Sequence, residues 1–168
     1  MGGGSLKRIA VSFDDGYQHL MEHLPGLIER YQLVPTIFVP TAYIGRANKW
    51  DYSYVFQSSQ HLARDEIKNL ARLGVRFGSH GHTHQPLTRL SPGALKEEME
   101  MSRKLLEDIT GGEVTHISYP FGRYSRRVLD AAAEAGYASG FTMNFPTQAD
   151  DPMARGRFAV YGYDTCFT

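Results

Sequence analysis

Along this chain, short apolar runs alternate with stretches of helical spacing. Lys7 to Phe13 is a brief apolar run that stops at Asp14-Asp15-Gly16, the pattern of a buried strand opening into a loop. Leu20, Leu24, Leu27, Ile28 and Tyr31 then recur three and four residues apart and predict a helix. Pro25 is expected near its first turn, where a missing N–H is tolerated. Pro35 to Val39 reads as the next strand, and residues 41–62 as a long, aromatic-rich structured loop. Glu66 to Leu73 is helical and stops at Gly74, a C′ glycine. Val75 to Phe77 is a short strand that runs into Gly78-Ser79-His80.

Ser91-Pro92 starts another helix, with Leu95, Met99, Ser102, Leu105, Leu106 and Ile109 on its inner side and Gly111-Gly112 at its end. Val114 to Tyr119 is a strand closed by Pro120-Phe121-Gly122. Val128 to Ala135 is helical, Tyr137 to Thr142 is a strand, and Arg157 to Tyr161 is a final strand. Repeated β–α units of this length predict an α/β fold with a parallel sheet, open or curled into a barrel. In such sheets the ligand site lies at the carboxyl ends of the strands. Three polar clusters fall there: Asp14-Asp15-Gly16, His80 to His84, and Tyr119-Pro120-Phe121-Gly122. That shared placement joins them into one site.

Composition narrows the setting. A chain of 168 residues, 42% hydrophobic and 21% charged, suits one globular domain with a real core. Neither charge nor Gly/Pro content shifts abruptly, so 7–168 is read as a single domain behind a flexible leader, 1–6. Lys plus Arg and Asp plus Glu are both 18, which offers no electrostatic reason to expect a nucleic-acid partner. No apolar run reaches the roughly 20 residues that span a bilayer. The single cysteine, Cys166, cannot form an internal disulfide. A cytoplasmic protein is the simplest expectation; the pattern leaves the oligomeric state open.

Two adjacent carboxylates at a strand end repel each other unless a cation neutralises them, although Asp-Gly is also an ordinary turn signal. The second cluster is sharper. Three of the seven histidines fall within His80-Gly81-His82-Thr83-His84, and imidazole with carboxylate is a common set for zinc-like ions. Gly78, Gly81 and Pro86 place them on a loop. An extended segment would put all three on one side; a helix would pair His80 with His84. By itself, the third cluster is ordinary turn chemistry.

Taken in order, Ser12-Phe13-Asp14-Asp15-Gly16, Gly78-Ser79-His80-Gly81-His82-Thr83-His84 and Tyr119-Pro120-Phe121-Gly122 resemble the polysaccharide deacetylase family, the NodB-homology or carbohydrate esterase family 4 group. The likeness runs from about Lys7 to Tyr137 and takes in Glu98, Ser102 and Leu106. The resemblance implies a distorted (β/α) barrel and removal of acetyl groups, N- or O-linked, from an acetylated carbohydrate. It also implies one divalent metal ion, usually zinc, sometimes cobalt or nickel. Carried over by position, Asp15, His80 and His84 become the metal ligands and Asp14 the general base. Phe121 offers its backbone N–H to the oxyanion, and His82 is not a ligand. Tyr119, Pro120, Trp50 and Arg157 are the candidate substrate-binding residues, with Tyr52, Tyr54 and Phe56 as further aromatic faces.

Two positions depart from that pattern. Where the family often has an arginine two positions before the third motif's proline, this chain has Ser118, and Arg157 is the candidate to take its role. No histidine follows His116, so the family's late Leu-x-His motif has no match. Two alternatives therefore stand beside the deacetylase: a weakened relative that binds carbohydrate, and a hydrolase of a non-sugar amide.

Overall fold

The computed structural model describes residues 9–48, 59–143 and 151–160. The leader at 1–6, the aromatic residues Trp50, Tyr52, Tyr54 and Phe56, and Cys166 lie outside the described residues. Six strands are present there: β1 (Ser12–Phe13), β2 (Thr36–Val39), β3 (Arg76–Ser79), β4 (His116–Ser118), β5 (Ser139–Thr142) and β6 (Arg155–Gly156). Four helices accompany them: α1 (Leu20–Tyr31), α2 (Arg64–Arg72), α3 (Pro92–Thr110) and α4 (Arg126–Glu134).

Every neighbouring pair is parallel, in the order β1-β2-β3-β4-β5-β6. An order that never reverses sends right-handed crossovers to the same face of the sheet each time. The helices therefore cover one face, and the sheet curls around the other into a half-barrel.

Strand alternation sorts the side chains between those faces. Ile37 and Val39 of β2 and Ile117 of β4 join the helix-side core, with Leu95, Met99, Leu106 and Ile109 of α3. Phe38, between Ile37 and Val39, turns to the other face and meets Phe141 of β5, ring centroids 5.5 Å apart. Gly78 of β3 lies against Phe38; a Cβ there would come within 2.5 Å of the ring, so only glycine admits it.

The helices end as their local chemistry dictates. The Ser91 hydroxyl accepts from the Ala94 N–H and Pro92 opens the first turn of α3, while Gly111, at φ 70°, closes it. Glu66 reaches back to accept the Ala63 N–H at the start of α2. None of the helices in the described residues is long and apolar enough to cross a membrane.

Three sequence expectations change. Pro25 sits inside α1, in its second turn, rather than in the first. It has no N–H to donate to the carbonyl of Met21, and packing of Leu20 and Leu24 into the core holds the helix in spite of that. Among the described residues the final strand is Arg155–Gly156, and Arg157 is the residue after it. Phe158, Ala159 and Val160 follow it and are exposed. β1, β2, β4 and β5 are shorter than their apolar runs, whereas β3 starts at Arg76 and extends past Phe77 to Ser79, where pairing with β2 carries it on.

Candidate metal centre at the strand ends

The chain leaves β1 through two consecutive left-handed residues, Asp15 at φ 65° and Gly16 at φ 59°. The Gly16 N–H donates to the Asp14 carbonyl at 2.9 Å, and the Leu62 N–H donates to the Gly16 carbonyl at 2.8 Å. This tight turn separates the adjacent carboxylates, so that each meets different partners. His61 Nδ1 donates to the main-chain carbonyl of Asp15 at 2.7 Å and fixes the turn from behind.

β3 ends in the second cluster. The His80 N–H continues the ladder to the Val39 carbonyl at 3.0 Å, and the imidazole turns inward, 3% exposed. Its Nδ1 lies 2.7 Å from the Ser118 carbonyl, which can only accept. Nδ1 therefore donates, and Nε2 is the ring nitrogen turned towards the carboxylates of Asp14 and Asp15, the orientation a metal ligand needs. His84, also buried, has a left-handed backbone at φ 56°. Its Nε2 is 3.3 Å from Asp15 Oδ1, and His80 Nε2 is 3.8 Å from the same oxygen. One donor atom from each of Asp15, His80 and His84 falls within 4.8 Å of the others. Two imidazole nitrogens and one carboxylate oxygen, converging in a largely buried place, are a donor set suited to a zinc-like ion.

The electrostatics agree with that use. Burial, with the neighbouring His80 and His61 adding to it against the pull of Asp14, pushes the His84 imidazole down to about 3. It is neutral at physiological pH, with no proton to displace before a cation binds. For Asp14, burial opposes ionisation. His80, the hydrogen bond and charge of Arg157, and the Ser118 hydroxyl together outweigh it and hold the carboxyl below its ordinary value.

Arg157 makes the most extensive of those contacts. Its Nη1 donates to Asp14 Oδ1 at 2.8 Å and to the Ser12 hydroxyl at 2.9 Å. Its Nη2 donates to Asp14 Oδ2 and to the Ser118 hydroxyl, each at 2.7 Å. Ser118 in turn donates to Asp14 Oδ2 at 3.2 Å. The guanidinium lies 5.1 Å from the Phe38 ring centroid, so the concave-face aromatics support it from one side.

Phe121 belongs to the short 3-10 turn after β4, at φ 59° and half-exposed, its ring centroid 4.9 Å from that of His84. The structure corrects two candidate substrate contacts. Tyr119 is fully buried and its hydroxyl donates to the Met153 carbonyl at 2.8 Å, so the ring is core and cannot face a ligand. Pro120 is buried beside it. His82 stays outside the cluster: its Nδ1 lies 2.8 Å from the Thr41 hydroxyl. Trp50 lies outside the described residues.

Sequence reasoning assigned no role to His61, nor to the Glu98 carboxylate that binds the histidine loop. A signal for Glu98 did exist, since a charged residue among the inner positions of an amphipathic helix requires a buried partner.

Known proteins resemble this chain in sequence and fold. The family model described as polysaccharide deacetylase matches residues 2–140. The Bacillus subtilis (strain 168) protein YxkH, assigned to the polysaccharide deacetylases, is 32% identical over 138 residues, 82% of this chain and 45% of that protein. The poly-beta-1,6-N-acetyl-D-glucosamine N-deacetylase of Staphylococcus aureus is 21% identical over 146 residues, 82% of this chain and 48% of the enzyme. The chain thus spans about half the length of these curated relatives. Among solved structures, the Streptococcus pyogenes deacetylase PplD in complex with acetate superposes with a TM-score of 0.77 at 23% identity, over 92% of this chain and 66% of that one. This last likeness is one of fold.

Proposed function

Since the chain belongs to the polysaccharide deacetylase family, we propose that it hydrolyses N- or O-linked acetyl groups of a carbohydrate at the β1–β3–β4 strand ends. The observation that carries this reading is the convergence of Asp15, His80 and His84 beside a second carboxylate, Asp14, that its neighbours keep ionised. Asp15, His80 and His84 would hold a divalent cation, zinc by preference. Such an ion, when bound, supplies Lewis acidity and acidifies a coordinated water.

The chain's own residues divide the remaining work. Asp14 is the general base. Its Oδ2 already accepts from Arg157 and Ser118, whereas Oδ1 accepts one bond from Arg157, so Oδ1 keeps the lone pair that receives the proton of the attacking water. Arg157 and Ser118 orient that carboxylate. The Phe121 N–H, in the left-handed turn beside His84, donates to the oxygen of the acetyl carbonyl as charge gathers on it.

The test is acetate release from N-acetylglucosamine oligomers and from O-acetylated xylo-oligomers, with zinc, beside a zinc titration of metal-stripped wild type and His84→Ala. Turnover on one sugar class, together with one zinc equivalent that the substitution abolishes, is expected. No turnover with either sugar would overturn the hydrolase reading, and turnover of a small non-sugar amide alone would reassign the substrate. A second reading, a relative that binds sugar without hydrolysing it, is favoured by one observation. His61, His80 and His84 are all engaged at the centre itself, which leaves none of these three free to protonate a leaving group. Oligosaccharide binding with no acetate released would establish it.

A further inference from the structure

Between the two candidate histidine ligands the backbone runs through Gly81, at φ 76°, to His84, at φ 56°. Both conformations are left-handed, and His84 has a Cβ that opposes it at roughly 1–2 kcal/mol. Such a segment persists only where its surroundings over-determine it.

The surroundings here are two. On one side, the Thr41 and Ala42 N–H groups donate to the carbonyls of Gly81 and His82 at 3.2 and 2.8 Å. On the other side stands α3. Glu98, 8% exposed, accepts the His82 N–H at 2.8 Å and the Thr83 N–H at 2.9 Å, and takes the Thr83 hydroxyl as a third donor. One turn further on, Ser102 donates to the Gly81 carbonyl at 3.0 Å and pairs with the Ser79 hydroxyl at 2.7 Å, which accepts the Gly81 N–H at 3.0 Å. Glu98 and Ser102 interrupt the apolar stripe of α3 formed by Leu95, Met99, Leu106 and Ile109. Burying a carboxylate in such a stripe is unfavourable unless its bonds are made, and here the bonds it makes go to the histidine loop.

We propose that Glu98 is a positioning residue of the metal centre: through the N–H groups of His82 and Thr83 it holds the loop in the conformation that aims His84 at Asp15. It touches neither metal nor substrate. The inference rests on the metal-binding reading above and adds to it the element that pre-organises one ligand before the ion arrives. Residues that hold a metal ligand in place without touching the ion set metal affinity by about 10–100-fold.

The experiment compares metal-stripped wild type, Glu98→Gln, Thr83→Val and His84→Ala by zinc calorimetry, by the visible absorption of their cobalt(II) forms, and by thermal unfolding without metal. Glu98→Gln keeps the volume but brings amide hydrogens towards donors. It should still bind one zinc equivalent, about 10–100-fold more weakly, with altered cobalt bands. Thr83→Val, which removes the hydroxyl donor to Glu98 and, with it, the surface acceptor of the Gln85 amide, but keeps both N–H donors, should show a smaller loss in the same direction and decides the matter if Glu98→Gln does not fold. If folded variants bind zinc within about twofold of wild type with superimposable cobalt spectra, Glu98 is a packing residue and the proposal is wrong. If wild type itself binds no zinc, the metal reading fails and this inference with it. Tight wild-type binding that His84→Ala abolishes and Glu98→Gln leaves unchanged overturns this inference alone.

Discussion

At the end of β1 the protein controls a side chain: Asp14 is gripped by Ser118 and Arg157, 104 and 143 residues further along the chain. At the end of β3 it controls a backbone: residues 81–83 are bonded to Glu98 and Ser102, on the helix that follows. The difference suits the two tasks proposed for these residues. A base must be kept ionised and aimed, which needs opposite charge and hydroxyl donors at the carboxylate itself. A ligand loop must hold two imidazoles in register, and hydrogen bonds to the intervening main chain do that without touching the rings. Three of the four non-glycine residues with positive φ among the described residues are Asp15, His84 and Phe121, so backbone strain gathers where both controls meet.

The comparison breaks most severely at Asp14. Asp14→Asn should lower kcat about 10²–10⁴-fold, measured as acetate release at saturating zinc, while calorimetry still finds one zinc equivalent. Loss of zinc binding as well would mean that the two carboxylates do not have separate roles.

Arg157→Met comes next. It leaves Asp14 ionised without its partner and should cost about 3 kcal/mol of unfolding free energy in a denaturant titration. The pH dependence sharpens the point. Burial raises the Asp14 pKa and Arg157 lowers it, so losing the arginine lets the value rise. Since the base acts ionised, the acid limb of kcat/KM moves to higher pH, and zinc affinity changes far less than in Glu98→Gln. An unmoved limb would show that Arg157 does not control the base. In wild type the depressed Asp14 value adds stability above its unfolded pKa of about 3.9, and this is lost as pH falls through the folded value.

Ser118→Ala, which removes one donor to Asp14, should cost about 1 kcal/mol and a few-fold in kcat. The smallest change reverses the sign and leaves the site alone. Gln32, at φ 51°, caps α1 on the surface in the same left-handed conformation. Gln32→Gly should gain about 0.5–1 kcal/mol in thermal unfolding with zinc binding unaltered. A loss there would mean that its side-chain bond to the Glu29 carbonyl outweighs the strain.

The order of strands and helices, the parallel sheet and the placing of three polar clusters at its carboxyl edge could all be read from the sequence by itself. Each depends on properties local to the chain: the period of apolar residues, glycine and proline at element ends, and the alternation that brings β–α units back in parallel. The ends of elements were less legible, as Pro25 within α1 and the short β6 show, because pairing and packing decide how far a local tendency extends. What only the tertiary structure decided is who meets whom across the half-barrel. Curvature brings Arg157 to Ser12 and Asp14. The Asp15-Gly16 turn parts two carboxylates that look equivalent in sequence. Burial takes Tyr119 into the core, and α3 brings Glu98 to the histidine loop. An Asp-Gly turn or a charge on the inner side of a helix is legible in the sequence, but the partner each one meets is not, since bonds between residues far apart in the chain exist only once the sheet has bent to close the distance between them.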